Sequence, residues 1–173
     1  MLAAACSLAF FGFMRSGELL ASQHSDIEFI KDGMLVHIRA SKTDPFRCGC
    51  DIVVGPAAQP DICPLGLVRL CLSKLLSTSA GTDQSLFSLN NQPLCRGKFV
   101  EEVQIALAQS GATNASLYKG HSFRIGAATT AGHAGIPEWL IKTMGRWSSS
   151  AYQTYIRTPR STVTAVAASL SQQ

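Results

Sequence analysis

The sequence predicts an α+β fold, mostly helical, with a small antiparallel sheet of about three strands near the N-terminus. Three observations carry that expectation. Met34 to Ala40 places apolar side chains at Met34, Val36 and Ile38, the period of a half-buried strand. Short β-like runs flank it, separated by turn signals. From Pro64 onward, segment after segment carries helical spacing, punctuated by Gly and Pro.

Taken in order, residues 2–21 read as one buried helix carrying Arg15 and Glu18 a turn apart. Its apolar start resembles a signal-peptide core, but it lacks preceding basic residues and a convincing cleavage site, and it is too short to span a membrane. Asp26 to Phe29 is a short strand, and Lys31-Asp32-Gly33 a turn into the strand from Met34. Lys42-Thr43-Asp44-Pro45 closes that strand, Asp51 to Val54 returns, and Pro56 and Pro60 break regular structure.

Pro64 to Leu76 is a helix with Leu65, Val68, Leu72 and Leu75 on one face. Thr78 to Asn91 is polar and loop-like, anchored by Leu86 and Phe87. Lys98 to Gln109 is amphipathic and stops at Ser110-Gly111. Ser122 to Ala131 is a helix rich in small residues, and Pro137 opens another through about Met144. Ser148 to Ile156 reads as a short helix with Ser148 as its cap. Thr162 to Leu170 is a final Ala-rich helix.

The chain, residues 1–173, reads as a single domain long enough to bury a core. Hydrophobic content of 46% and charged content of 15% exclude a disordered chain. The net charge of +4 and pI near 8.8 fit a polyanionic partner. Nine of the 15 basic residues are arginine, the better side chain for bidentate phosphate contacts. Cys48, Cys50 and Cys63 lack a second close pair or a histidine at zinc-ligand spacing, so the six cysteines read as free thiols in a reducing compartment. The 11 acidic residues are scattered, and the only adjacent pair, Glu101-Glu102, lies on an amphipathic helix. Clustered carboxylates for a catalytic metal are therefore not in view, and no cofactor is expected.

Cutting a phosphodiester without a metal needs a nucleophile, cations on the non-bridging oxygens, an acid for the leaving oxygen and a manager for the nucleophile's proton. Arg15 and Arg124 can fork onto phosphate oxygens, and His121 lies three residues before Arg124. Lys42 sits at a strand end. Tyr155 offers a phenol that needs activation, since its ordinary pKa is about 10. Each residue also has a plain reading. Arg15 can be a surface partner of Glu18, Lys42 a guard against edge pairing and His121 a helix cap. Trp147 can be core, and Tyr155 an ordinary half-buried tyrosine. Six such residues together shift the balance toward a site, whereas His24, His37 and His133 fit no constellation.

The wording of these segments resembles the catalytic domain of the tyrosine recombinases, or phage-integrase-type recombinases. Arg15-Ser16-Gly17-Glu18-Leu19 matches the first arginine motif, Ser41-Lys42-Thr43 the strand lysine, and His121-Ser122-Phe123-Arg124 the His-x-x-Arg box. Gly145-Arg146-Trp147 matches the box holding histidine or tryptophan, and Tyr155-Ile156-Arg157 the nucleophile segment. The match runs from about Ala3 to Arg160 and is similar in local wording to crypton and DIRS-like elements of eukaryotes.

The resemblance implies strand cleavage and rejoining through a 3′-phosphotyrosine formed by Tyr155. Arg15 and Arg124 would clamp the scissile phosphate, Lys42 would protonate the leaving 5′-oxygen, and His121 would assist proton transfer. Trp147 would pack beside the tyrosine and donate its N–H, and Glu18 would orient the site. The implied partners are double-stranded DNA and further copies of the chain in a tetramer, with no membrane. The implied location is nuclear for a eukaryotic source, otherwise cytoplasmic, and not secreted.

Departures from the family pattern are three. The step from Trp147 to Tyr155 is one residue shorter than the commonest family spacing, which makes Tyr152 a rival nucleophile; the Ile156-Arg157 that follows favours Tyr155. The helical domain that clamps the other face of DNA, and a helix before the first arginine motif, have no counterpart, as for a fragment. Cys48 and Cys50 have no family explanation. The alternative reading is a mobile-element-derived DNA-binding or protein-interaction module whose chemistry is unused.

Overall fold

A computed structural model of the chain describes residues 1–41, 46, 48–76, 84–158, 164 and 166. The first helix, α1 (Leu2–Phe11), is apolar on every side and is the hub of the fold. Ala4, Ala5, Leu8 and Ala9 are buried, and α1 packs against α3 (Pro64–Leu76) and α5 (Ser122–His133).

The expected single helix over 2–21 is two helices. α1 closes with the Met14 N–H donating to the Ala9 carbonyl and the Phe13 N–H donating to the Phe10 carbonyl. That is a Schellman closure, with Phe13 left-handed at φ 49°. α2 (Ser16–Ala21) then starts afresh with Arg15 as its N-cap. The usual signal for such a stop is glycine at the left-handed position. Here Gly12 stands one residue early and the bulky Phe13 takes the strained place, so the sequence conceals the break.

The sheet agrees with the sequence pattern. β1 (Ile27–Ile30), β2 (Gly33–Ile38) and β3 (Cys50–Val54) run antiparallel in that order, with Ile30 opposite Gly33 and Ile38 opposite Cys50. Met34, Val36 and Ile38 are the buried face of β2, as their alternation requires.

α3 spans the predicted residues and buries Val68 and Leu72. Leu86 and Phe87 are buried anchors, as expected. The sequence reading missed the hairpin that follows them, β4 (Ser88–Leu89) with β5 (Gln92–Pro93). Asn90 and Asn91 both adopt positive φ, at 51° and 61°, which is the demand of a tight hairpin turn.

α4 (Arg96–Gln109) precedes α5, and α6 (Glu138–Gly145) starts after Pro137. Residues Ser150–Tyr155 form a 3-10 helix, tighter than the α-helix expected there, and its cap is Ser149 rather than Ser148. The Ser149 hydroxyl accepts from the Ala151 N–H at 3.3 Å. Of the expected C-terminal helix over 162–170, only Thr164 and Val166 are described, both helical.

The buried apolar residues form two clusters. The larger joins α1, the sheet, α3 and α4. The smaller consists of Phe13, Ala127, Ala128, Ile141 and Tyr152, with Trp147, Tyr155 and Ile156 packed against it. No helix among the described residues is long and apolar enough to cross a membrane.

Candidate active site

The α1–α2 break turns Arg15 into a helix cap, and the cap is built around Glu18. The Glu18 carboxylate is buried and accepts from the Arg15 backbone N–H at 2.9 Å, Arg15 Nη1 at 2.6 Å, Ser41 Oγ at 2.8 Å and Arg146 Nη2 at 2.7 Å. Burial alone would raise its pKa; the Arg146 charge and the hydrogen bonds from Arg15 and Ser41 outweigh it and hold the carboxyl below the ordinary glutamate range. Arg15 Nη1 also donates to Ser41 Oγ at 2.9 Å. Ser41 thus pins the strand end that leads to Lys42, which itself lies outside the described residues.

Arg124, on α5, is 1% exposed. Its Nη1 donates to the Phe13 carbonyl at 2.6 Å and its Nη2 to the Gly145 carbonyl. The Trp147 ring covers the guanidinium, 4.1 Å from its carbon to the ring centroid, a cation–π contact. Burial pushes the Arg124 pKa down to about 10, and the charges of Arg15 and Arg146 push the same way, while Glu18 and Tyr155 oppose them. Arg15 and Arg146 pair with Glu18 and Arg124 lies close by, so among the described residues the cluster carries excess positive charge in a largely dry setting.

Trp147 links this cluster to both tyrosines. Its ring centroid lies 5.5 Å from that of Tyr155 and 6.0 Å from that of Tyr152, with Phe13 edge-on at 6.4 Å. Tyr152 is 4% exposed within the smaller core cluster, while Tyr155 sits half-buried at its edge. The Tyr155 segment is fastened to α5 through its backbone. Thr129 Oγ1 donates to the Tyr155 carbonyl at 2.8 Å and accepts from the Arg157 N–H at 3.3 Å.

His121 stands exposed at the N-cap of α5. The residue before it, Gly120, is buried against Ser16, where an added Cβ would come within 2.5 Å of Ser16 Oγ. That close approach sets the His121 segment against the start of α2, beside the Arg15 cap.

The structure therefore gathers Arg15, Arg124, Trp147 and Tyr155 into one region, with His121 at its border. It adds Arg146, which the sequence reading passed over. The signal was the short step from Trp147 to Tyr155: counting back one more residue lands on Arg146.

Gly145 carries a prediction. A Cβ there would fall inside the Trp147 ring. Gly145→Ala should displace Trp147 and cost about 1–3 kcal/mol as an overpacked site. Trp139 is 67% exposed. In a Trp139→Phe background, the remaining tryptophan emission should shift to the red in Gly145→Ala. An unmoved spectrum would contradict the packing described.

Comparisons with known proteins place this arrangement. No family model matches the chain. An integrase/recombinase xerD homolog from Selenomonas ruminantium is 30% identical over 149 residues, 82% of this chain and 42% of that protein. Among solved structures, XerA recombinase superposes with a TM-score of 0.74 at 18% identity, over 92% of this chain and 53% of that one. XerH site-specific recombinase, bound to palindromic difH substrate in a post-cleavage complex, gives 0.73 at 16% identity, over 98% and 45%. The chain thus spans about half the length of the relatives it matches. With this fold, these segments in this order and this curated relative, the chain resembles the tyrosine recombinases (integrases) and carries a fold like that of their catalytic domain.

Proposed function

We propose that the chain cleaves and rejoins double-stranded DNA as a metal-independent tyrosine recombinase. One observation carries this reading: a buried guanidinium, Arg124, is roofed by a tryptophan that also touches Tyr155, inside a cluster with excess positive charge. A phosphodiester supplies the missing negative charge and relieves the mutual repulsion of the arginines. XerH, which shares the fold, was solved on its difH substrate both before and after cleavage.

In the proposed step, Tyr155 Oη attacks phosphorus and the bond from phosphorus to the 5′-oxygen breaks. The 5′-oxygen leaves as a hydroxyl, taking its proton from Lys42, while His121 handles the proton of the phenol. Arg15 and Arg124 hold the non-bridging oxygens. The reverse attack by a 5′-hydroxyl rejoins the strand. The buried position of Tyr152, in contrast to the half-buried Tyr155, supports Tyr155 as nucleophile. The reading has four copies assembled on two duplexes, which light scattering of the DNA complex checks.

The test is a nicked or phosphorothiolate suicide duplex, which traps the covalent adduct. Wild-type protein should form it, in EDTA as well, and Tyr155→Phe should abolish it. Loss of the adduct in Tyr152→Phe with retention in Tyr155→Phe would transfer the role to Tyr152. DNA binding without any adduct would leave only a binding module.

A further inference from the structure

We propose that Arg146, rather than Trp147, supplies the phosphate-facing donor of the Gly145-Arg146-Trp147 segment, as a third guanidinium set between Glu18 and the attacking tyrosine. The inference rests on the reading above and assigns a role within that site.

The backbone aims Arg146 inward. α6 ends as α1 does, in a Schellman closure: the Trp147 N–H donates to the Lys142 carbonyl at 3.1 Å and the Arg146 N–H to the Thr143 carbonyl at 3.0 Å. Arg146 occupies the left-handed position at φ 56°, a place normally given to glycine. A non-glycine residue is sterically disfavoured there. The side chain that accepts this strain turns back over the helix end into the arginine cluster. Its Nη2 meets Glu18 Oε2 at 2.7 Å, and its Nη1 lies 3.3 Å from the Gly12 carbonyl and 3.2 Å from the Met144 carbonyl. Nη2 also approaches the Phe13 carbonyl, at 3.4 Å, the same carbonyl that receives Arg124 Nη1.

Two features separate Arg146 from a purely structural arginine. Its Nε is buried and has no hydrogen-bond partner, an N–H donor held dry. Its side chain keeps 15% of its surface open, against 2% for that of Glu18. Trp147 has a different role in the packing: its half-buried ring lies against Arg124, Phe13, Tyr152, Tyr155 and the Gly145 backbone. That is the position of a wall that fixes Arg124 and Tyr155. Spacing agrees, because the commonest family step back from the nucleophile reaches residue 146.

The experiment compares Arg146→Ala, Arg146→Lys and Trp147→Phe in the full chain, on the suicide duplex under saturating DNA, with circular dichroism to confirm folding. Arg146→Ala should slow adduct formation about 100-fold, with a much smaller change in DNA affinity, and added guanidinium ion should recover a measurable part of the rate. Arg146→Lys should fall between Arg146→Ala and wild type. Trp147→Phe keeps a ring and removes the N–H, and should cost less than about tenfold. Wild-type rates in Arg146→Ala, a loss that guanidinium does not relieve, or a larger loss in Trp147→Phe would each overturn the assignment.

A second readout needs no cleavage. Inorganic sulfate should raise the melting temperature of the wild type, and Arg146→Ala should lose most of that increment. If the wild type is stabilised by sulfate in this Arg146-dependent way but forms no adduct, the recombinase reading fails and Arg146 stands as an anion ligand. If the sulfate increment is absent or independent of Arg146, and cleavage is too, the inference fails by itself.

Discussion

Replacing Glu18 by alanine should cost about 3–5 kcal/mol of folding stability, the usual result of removing one side of a buried ion pair. For a chain of this length that lowers the melting temperature by roughly 10 °C. The loss is large because the carboxylate has four donors and no substitute. Without it, Arg15 and Arg146 face each other beside the buried Arg124, and the cap of α2 is undone. The pH dependence has a definite sign. Glu18 has a lowered folded-state pKa, so its contribution is complete above the ordinary carboxylate range and disappears as the pH falls through the lowered value. Thermal melts between about pH 6 and pH 3 should therefore show a steeper loss in wild type than in Glu18→Gln. Parallel curves would mean that the carboxylate is not what neutralises the arginines.

Arg124→Met should give the opposite pattern, a lost activity on a nearly unchanged fold. The substitution takes away a guanidinium proposed to hold the scissile phosphate, and on that proposal cleavage of the suicide duplex should fall about 1,000-fold. Stability is a balance of several terms. The Gly145 carbonyl loses its donor, worth about 1–3 kcal/mol, and the Trp147 contact loses its cation, worth up to about 2 kcal/mol. Against this, a buried charge repelled by Arg15 and Arg146 is removed and an apolar side chain fills its place, which offsets part of that loss. The melting temperature should stay within about 4 °C of wild type. A fall as large as that of Glu18→Ala would show that Arg124 is chiefly a structural tie.

The contrast between these two buried charges also explains what could be read from the chain. Periodicity disclosed β2 and α3 because their buried faces repeat within a few residues: Met34, Val36 and Ile38, then Val68 and Leu72. It could not disclose the break after α1, because the stop depends on Phe13 taking a conformation that its residue type disfavours. Residue type and order singled out Arg15, Arg124, Trp147 and Tyr155, since cations, an indole and a phenol carry their chemistry in their names. Arg146 was hidden behind Trp147, its neighbour in a three-residue motif, and only the backbone at φ 56° reveals which way each side chain turns. Glu18 was read as an orienting residue; its link to Arg146 spans 128 positions, and no local pattern encodes such a distance.

The carbonyls of Phe13 and Gly145, which hold Arg124, have a consequence for heredity. A ligand made of main chain survives any point substitution that leaves the backbone path intact. To keep this grip on Arg124, selection need preserve only the two helix ends that present the carbonyls. The grip on this guanidinium is thus written in the path of the chain, not in the side chains at Phe13 and Gly145.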